Sequence, residues 1–241
     1  MRFAILSDIH ANLEALEAVL ADAHKHKCTH FVCLGDVVGY NANPHECVER
    51  IREMDCPTVK GNHDEQASLF EASTDFNELA KRAIEWTRDN LNDEDKGWLR
   101  GLRLQQQVRG FTIVHATLDT PAQWSYVFNN LDAAASFTYQ HTTVCFFGHT
   151  HVPMVFIRDD NGVRRDRIEH VRIEMTKKYF INTGSVGQPR DGDWRAAYCI
   201  YDIENHIVEQ LRAKYDLATA QKKIIKAGLP QLLAERLAIG R

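Results

Sequence analysis

Short apolar runs alternate with amphipathic stretches along the first sixty residues. Residues 2–7 (RFAILS) are apolar and close on Asp8, which suits a buried strand. Residues 12–26 place Leu13, Leu16, Val19 and Leu20 at helical spacing, with Asn12 available as an N-cap. A second strand is predicted over 30–34, ending in Gly35-Asp36, a helix over 45–54 after Pro44, and a third strand over 57–60, ending in Gly61-Asn62-His63. Two helical patterns follow over 76–101, then strands over 104–108 and 111–115, a helix around 130–140, and a strand over 143–147. Residues 152–173 read as a hairpin turning at Asp160-Asn161-Gly162, a strong turn signal. Strands near 178–183, 196–203 and 206–211 precede one or two closing helices over 215–238, split at Gly228-Leu229-Pro230. Strand–helix–strand alternation argues for an α/β fold with a parallel sheet, and one domain over 1–241 is the simplest account.

The predicted strand ends carry the chemistry. Asp8-Ile9-His10, Asp36, Asn62-His63, His115 and His149-Thr150-His151 each follow an apolar run. In parallel α/β sheets such carboxyl ends face one crevice where ligands bind. Any one histidine there could be an ordinary polar residue, but five ligand-bearing ends together point to a metal site. Residues at i and i+2 of an extended segment share a side. Asp8 and His10 are therefore expected to grip one ion together, with His149 and His151 reaching in from a neighbouring strand. Asp36, with two carboxylate oxygens, can bridge two cations. Imidazole nitrogen mixed with carboxylate and amide oxygen suits Mn, Fe or Zn better than Mg or Ca.

Composition removes several alternatives. The 241 residues are 44% hydrophobic and 26% charged, ordinary globular usage, and no apolar run approaches the length of a membrane span. The N-terminal MRFAILSD meets an acid too early for a secretory leader, so a cytoplasmic protein is expected. The six cysteines form no CxxC pair and read as buried free thiols. With a formal charge of −4 and only Arg164-Arg165-Asp166-Arg167 as a basic run, long nucleic acid is a poor substrate and a membrane a poor partner.

The ordered series DIH, GD, GNHD, a lone His and GHTH, from residue 8 to 151, resembles the calcineurin-like metallophosphoesterase superfamily. The downstream INTGSVGQPRDGDWRAAY is similar to its small prokaryotic members, relatives of diadenosine tetraphosphatases. The resemblance implies a four-layer α/β/β/α sandwich of two mixed sheets flanked by helices. It implies two divalent transition-metal ions, one held by Asp8, His10, Asp36 and His151, the other by Asp36, Asn62, His115 and His149. Asp36 and a hydroxide would bridge them. By formal count such a site keeps about one positive charge, enough to attract an anionic phosphate to an acidic chain. The implied activity is metal-dependent hydrolysis of a small phosphodiester, nucleotide or dinucleoside polyphosphate. A catalytically silent metal-binding scaffold of the same fold is the alternative.

His63 has no metal in that scheme and is left to hydrogen-bond a phosphoryl oxygen or protonate the leaving oxygen. Asp64 is equally suited to capping the next helix and to orienting its neighbours. Protein serine/threonine phosphatases continue the second block as GDYVDRG. Here GDVVGY puts Gly39 where their supporting acid stands and Tyr40 in place of their arginine, which disfavours that activity. The usual HG of the fourth block is His115-Ala116. Arg190, Asn12 and Tyr40 are candidate substrate contacts, Arg190 because its glycine-rich loop can bring a guanidinium to a second phosphate. Tyr40, Trp124 and Tyr126 are candidates for an aromatic edge against a base. Loops 40–45, 64–76 and 117–130 are expected to set selectivity.

Overall fold

Alternation along the strands sorts their side chains into three layers of core. The computed structural model of the chain describes residues 1–69 and 78–241. On β1 (Arg2–Leu6), Phe3 and Ile5 face one way and Ala4 and Leu6 the other. Phe3 and Ile5 meet Val32 of β2 (His30–Cys33), Phe111 and Ile113 of β4 (Phe111–Val114), and Phe146 of β5 (Val144–Phe147) between two sheets. Ala4 and Leu6 instead pack beneath α1 (Leu13–Lys25), against Leu16, Val19 and Leu20. On β5 the same period sends Cys145 and Phe147 outward to Phe137 of α6 (Asn130–Tyr139). Helix, sheet, sheet and helix therefore stack as four layers. Each fully buried aromatic or aliphatic side chain in the middle contributes roughly 1.5–3 kcal/mol by leaving water.

The first sheet runs β2-β1-β10-β11-β8, with β8 at His170–Arg172, β10 at Ala196–Asp202 and β11 at Ile207–Ala213. The second runs β3-β4-β5-β9-β6-β7, with β3 at Gln105–Val108, β6 at Met154–Asp159, β7 at Gly162–Asp166 and β9 at Lys178–Asn182. Among the described strands, β1–β2 and β4–β5–β9 pair in parallel and the remaining ladders are antiparallel. The parallel pairs put the ends of β1, β2, β4 and β5 on one rim. Both sheets are mixed rather than parallel throughout, because the second half of the chain returns through hairpins and short reversals instead of helical crossovers.

Asn12 caps α1, its Oδ1 accepting from the Ala15 amide at 3.1 Å. Helix α2 (Pro44–Glu53) starts on proline, whose missing amide hydrogen costs nothing at a first turn. Helices α4 (Glu78–Asp89) and α5 (Asp93–Gly101) account for the double pattern expected over 76–101, of which residues 76 and 77 lie outside the described chain. Helices α7 (Leu217–Lys226) and α8 (Gln231–Ile239) close the chain, packing Ile224, Leu233 and Leu237 into the core under α1.

Three expectations need correction. Residues 57–60 are not a strand: Thr58 bridges Cys33 and Val59 bridges Arg103, one pairing each, in a segment opened by a proline without an N–H. Residues 62–68 form a helix, α3 (Asn62–Ser68), where a loop was expected from 64; residues 70–76 of that loop lie outside the described chain. The hairpin turns where expected, but its arms end at Asp166, and β8 crosses to the other sheet. All six cysteines are free thiols, five buried and Cys56 partly exposed. Among the described residues no helix is long and apolar enough to cross a membrane.

Candidate metal centre

The rim where the parallel strands end is polar yet withdrawn from solvent. Asp8, His10, Asp36, Asn62, His63, His115, His149 and His151 are all buried. The structure brings together every residue expected to hold metal. Asp8, His10 and His151 place one potential ligand atom each within 4.8 Å of one another, as do Asp36, His115 and His149, and as do His10, Asp36 and His63. Asp36 lies between the groups, its Oδ2 3.6 Å from His10 Nε2 and 3.4 Å from His115 Nε2. Asn62 Oδ1 is 3.2 Å from His115 Nε2.

The backbone that presents these groups is not the extended chain of the i, i+2 argument. Asp8, His10, Asp36, His149 and His151 all take positive φ, between 49° and 67°. Left-handed conformations cost side-chain-bearing residues on the order of 1–3 kcal/mol each and collect at functional sites. The chain turns sharply at each strand end, and it is the turns that aim Asp8 and His10 at one point. Local bonds hold them: the Asp8 amide donates to Gly35 O at 3.0 Å and the His10 amide to Asp36 O at 2.9 Å. Gly61 and Gly148 are required beside them, since a Cβ on Gly61 would strike the Asp36 carboxylate and one on Gly148 the Ser7 hydroxyl and Asp8 carboxylate.

Each ligand is oriented from behind. His10 Nδ1 faces Val38 O at 3.0 Å, His115 Nδ1 faces Leu34 O at 2.8 Å, and His151 Nδ1 faces Gln188 O at 2.6 Å. His149 is turned the other way, with Nε2 2.8 Å from Trp124 O and Nδ1 toward the cluster. A carbonyl only accepts, so these nitrogens carry the hydrogens and the opposite nitrogens present lone pairs, the arrangement of metal-binding imidazoles. The carboxylates are held likewise: Asp36 Oδ1 accepts from the His63 amide at 2.8 Å, and Asp8 Oδ2 from Ser7 Oγ at 2.6 Å and the His149 amide at 3.0 Å.

These residues fit a cation. His10 Nε2 and His151 Nε2 are 3.1 Å apart with the hydrogens of both rings committed elsewhere, so two lone pairs confront each other unless a positive charge lies between. Burial pushes His10 and His151 below the usual histidine range, His149 to about 3 and His63 to about 4. Burial would raise the two carboxyls, but the His151 imidazole at Asp8 and the His115 imidazole at Asp36 hold both below the ordinary carboxylate range. Burial also opposes a charge on His115, yet Asp36 overrides it and lifts that ring to about 9. Apart from His115, whose extra proton a cation beside Asp36 would displace, the set is deprotonated and rich in acceptors, as a metal requires of its ligands.

Beyond the cluster opens a cavity of about 540 Å³, lined by Asp36, Asn62, His63, Tyr40, Arg190 and the Trp124–Tyr126 segment among others. His63 packs edge-on to His10 at 4.8 Å and against the Tyr40 ring at 4.5 Å. Gly39 abuts it, a Cβ there falling 2.5 Å from His63 Nδ1, so this glycine offers that ring no side chain. Asp64 does both things asked of it. Its Oδ2 caps α3 through the Gly61 amide at 3.0 Å, and its Oδ1 takes the Val37 amide at 2.8 Å, tying the Asp36 turn to the Asn62 turn. Asn12 stays behind the site, capping α1 and donating to Gly187 O at 3.0 Å. The aromatic edge exists in part: Tyr40 is buried, while Tyr126 stacks on the His149 ring at 4.2 Å with its outer half exposed. Ser7, Gln188 and Glu65 (bonded to Trp124 Nε1 at 3.1 Å) escaped the sequence reading. All three lie beside or within the recognised motifs, Ser7 before DIH, Glu65 after GNHD and Gln188 in GSVGQPR, but none is of a type that marks a metal ligand there.

A family model described as the calcineurin-like phosphoesterase superfamily domain matches residues 1–206. An uncharacterized protein of Methanocaldococcus jannaschii is 40% identical over 242 residues, spanning 99% of this chain and 98% of its own. The crystal structure of a metallophosphoesterase from Sphaerobacter thermophilus superposes with a TM-score of 0.90 at 39% identity, covering 100% of this chain and 99% of that one. A hypothetical protein from Pyrococcus horikoshii OT3 shares the fold at a TM-score of 0.82 and 17% identity, covering 100% and 98%.

Proposed function

This chain belongs to the calcineurin-like phosphoesterase superfamily, and from that premise we propose that it hydrolyses small phosphate esters or anhydrides with two divalent transition-metal ions, Mn, Fe or Zn. The observation that carries this reading is the placing of Asp36 between two ligand groups, Asp8-His10-His151 on one side and His115-His149 on the other. Asp8, His10, Asp36 and His151 would hold one ion, and Asp36, Asn62, His115 and His149 the second. Bound there, the ions would supply Lewis acidity for the phosphoryl oxygens and a water acidified to near neutrality.

The chain's own residues do the rest. The strained turns and the carbonyls behind each imidazole fix the ligands before substrate arrives, so little reorganisation is left to the reaction. His63 borders the cluster on the cavity side, where it can hydrogen-bond a phosphoryl oxygen or hand a proton to the leaving oxygen. The cavity is far larger than one phosphate, which supports a substrate with a sizeable organic part, a nucleotide among the candidates. Its half-exposed rim at Tyr126 and the selectivity loops around it would grip that part.

A panel assay with Mn²⁺ tests the proposal: a monoester, a diester, a cyclic nucleotide and a dinucleoside tetraphosphate compared side by side, with bound metal counted in the same sample. Turnover of at least one class with close to two ions per chain is the expected result. Two bound ions without turnover of any would favour the silent scaffold, and failure to bind metal would end both readings.

A further inference from the structure

The loop that follows β9 is dense in charge, and its charges are nearly all paired. Asp191 is bonded to Arg212, and Asp193 holds Arg195 through Nη2 at 2.6 Å and Nε at 3.0 Å. Arg190, in the same loop, has no carboxylate partner among the described residues. Its amide donates to the His151 carbonyl at 3.3 Å, which fixes its backbone beside the metal cluster. Its guanidinium lies over the Tyr40 ring at 5.7 Å, with Nη2 3.0 Å from Gln188 Oε1 and 3.4 Å from the Tyr40 hydroxyl. Nε is buried with no acceptor. A second guanidinium, Arg236 of α8, stands near enough that burial, together with the charge of Arg190, weakens its hold on a proton. Its Nε donates to the backbone oxygen of Arg241, the last residue of the sequence, at 2.8 Å. A guanidinium without a carboxylate partner and with an unfilled buried donor, beside a second guanidinium, makes a region of positive potential that an anion would relieve.

Position says which part of a substrate that anion belongs to. On the hydrolase reading, the scissile phosphoryl group would lie at the ligand cluster around Asp36. His63, Tyr40 and Arg190 then follow one another along the cavity wall: ring to ring at 4.5 Å, then guanidinium to ring at 5.7 Å. If His63 serves the leaving oxygen, whatever that oxygen carries lies toward Tyr40 and Arg190. We propose that Arg190 forms a second anion subsite, for an oxyanion borne by the departing half of the substrate a few bonds beyond the scissile oxygen. The subsite rests on the hydrolase reading of the same cavity. The shared chemistry is a phosphoryl or carboxylate group meeting the guanidinium fork, where charge-assisted paired hydrogen bonds are available. Asp191 and Asp193, which would otherwise neutralise Arg190, are taken up by Arg212 and Arg195.

Binding of non-hydrolysable ligands tests this apart from turnover. Propylphosphonate, propane-1,3-diphosphonate and 4-phosphonobutanoate are titrated into Mn²⁺-loaded wild type, Arg190→Gln and Arg190→Lys, with metal content and circular dichroism checked for each. Wild type is expected to bind a doubly anionic ligand about tenfold tighter than propylphosphonate, the worth of a charge-assisted hydrogen bond. Arg190→Gln should bring that ratio close to one, and Arg190→Lys should keep part of it, having the charge but not the fork. The ligand with the larger Arg190-dependent gain identifies the group as phosphoryl or carboxylate. A ratio near one in a wild type that hydrolyses phosphoesters overturns the subsite alone. A ratio that survives in Arg190→Gln also overturns it, since chelation by the metals would then explain the gain. Absence of binding by all three ligands, with no phosphoester turned over, removes the hydrolase reading and the subsite with it.

Discussion

Phe3 and Ile5 of β1 are as hidden from water as Asp8, which follows the same strand by two residues, yet the regions they enter are stabilised by opposite means. Between the sheets, Phe111 meets Phe3 at 5.3 Å and Phe146 and Tyr201 at 5.6 Å each, all edge-on or nearly so. Burial there is favourable by itself. At the rim a few ångströms on, two carboxylates and five imidazoles are buried together, five of these seven residues on left-handed turns. That arrangement opposes folding at each step: desolvated charge, facing lone pairs and strained backbone. The apolar sandwich supplies the stability that the rim consumes. A cation bound there would return part of it, because a ligand bound by the folded state alone adds about 2.7 kcal/mol at a hundred times its dissociation constant.

The largest expected effect tests the rim. Asp36→Asn removes the one carboxylate placed between both ligand groups and a negative charge with it. The fall in kcat/KM should exceed the roughly 10²–10⁴-fold typical of losing one acid–base residue, and bound metal should drop below two per chain. Near-normal turnover with two metals would mean that the contrast between rim and core has no functional basis at Asp36. His63→Ala comes next, as the change that separates chemistry from metal binding. Both ions should stay, and kcat should fall more than KM, by about 10²–10⁴-fold. The loss should be smaller on a p-nitrophenyl ester than on an alkyl or nucleoside ester if His63 is the acid. Equal losses on both would assign it to phosphoryl charge instead.

A change in the sandwich should behave in the reverse way. Phe111→Ala is expected to lower stability by about 3–5 kcal/mol, measured by denaturant titration, while folded protein at low temperature keeps its two metals. Mn²⁺ should raise the Tm of this variant about as much as that of wild type, and should raise the Tm of Asp36→Asn much less. Equal rises in all three proteins would show that the metal is bound away from the rim.

What the sequence disclosed follows from the same contrast. Apolar runs ending in a ligand residue are a one-dimensional signal, so Asp8, Asp36, His115 and His149 could be placed at strand ends from the chain alone. The family resemblance then divided them between two ions. The neighbours of each strand were not legible, because period-two patterning reports faces and not partners. That is how a mixed pair of sheets came to look parallel. The groups behind the ligands were hidden for another reason. The Val38, Leu34, Gln188 and Trp124 carbonyls that set the imidazoles belong to the backbone and leave no trace in side-chain motifs. Tyr126 reaches His149 two residues after a left-handed turn at Trp124, φ 53°, which a tryptophan gives no reason to expect.

The smallest expected effect comes from a buried acid that has nothing to do with the rim. Asp95 is fully buried, as Asp8 is, but its surroundings answer it: it closes the cap of α5 with Asn92, accepts from His45 Nδ1 at 2.8 Å, and has Arg52 Nη1 at 3.8 Å. The Asp95 hydrogen bond raises the pKa of His45 above the ordinary 6.5. The folded protein therefore holds this proton more tightly than the unfolded chain. The stabilisation is complete below the unfolded value and disappears as pH rises through the folded one. His45 is 40% exposed, so solvent screens the pair and its worth is under about 1 kcal/mol. His45→Ala should lower stability relative to wild type more at pH 6 than at pH 9, with metal content and kcat unchanged at both. The difference between the two pH values is the quantity to measure, because the helix propensity gained with alanine is the same at each. A cost that did not shrink with rising pH would place the worth of His45 in packing. A loss of metal or turnover would mean that this acid is coupled to the rim after all, and that burial of charge in this fold serves the site even at a distance from it.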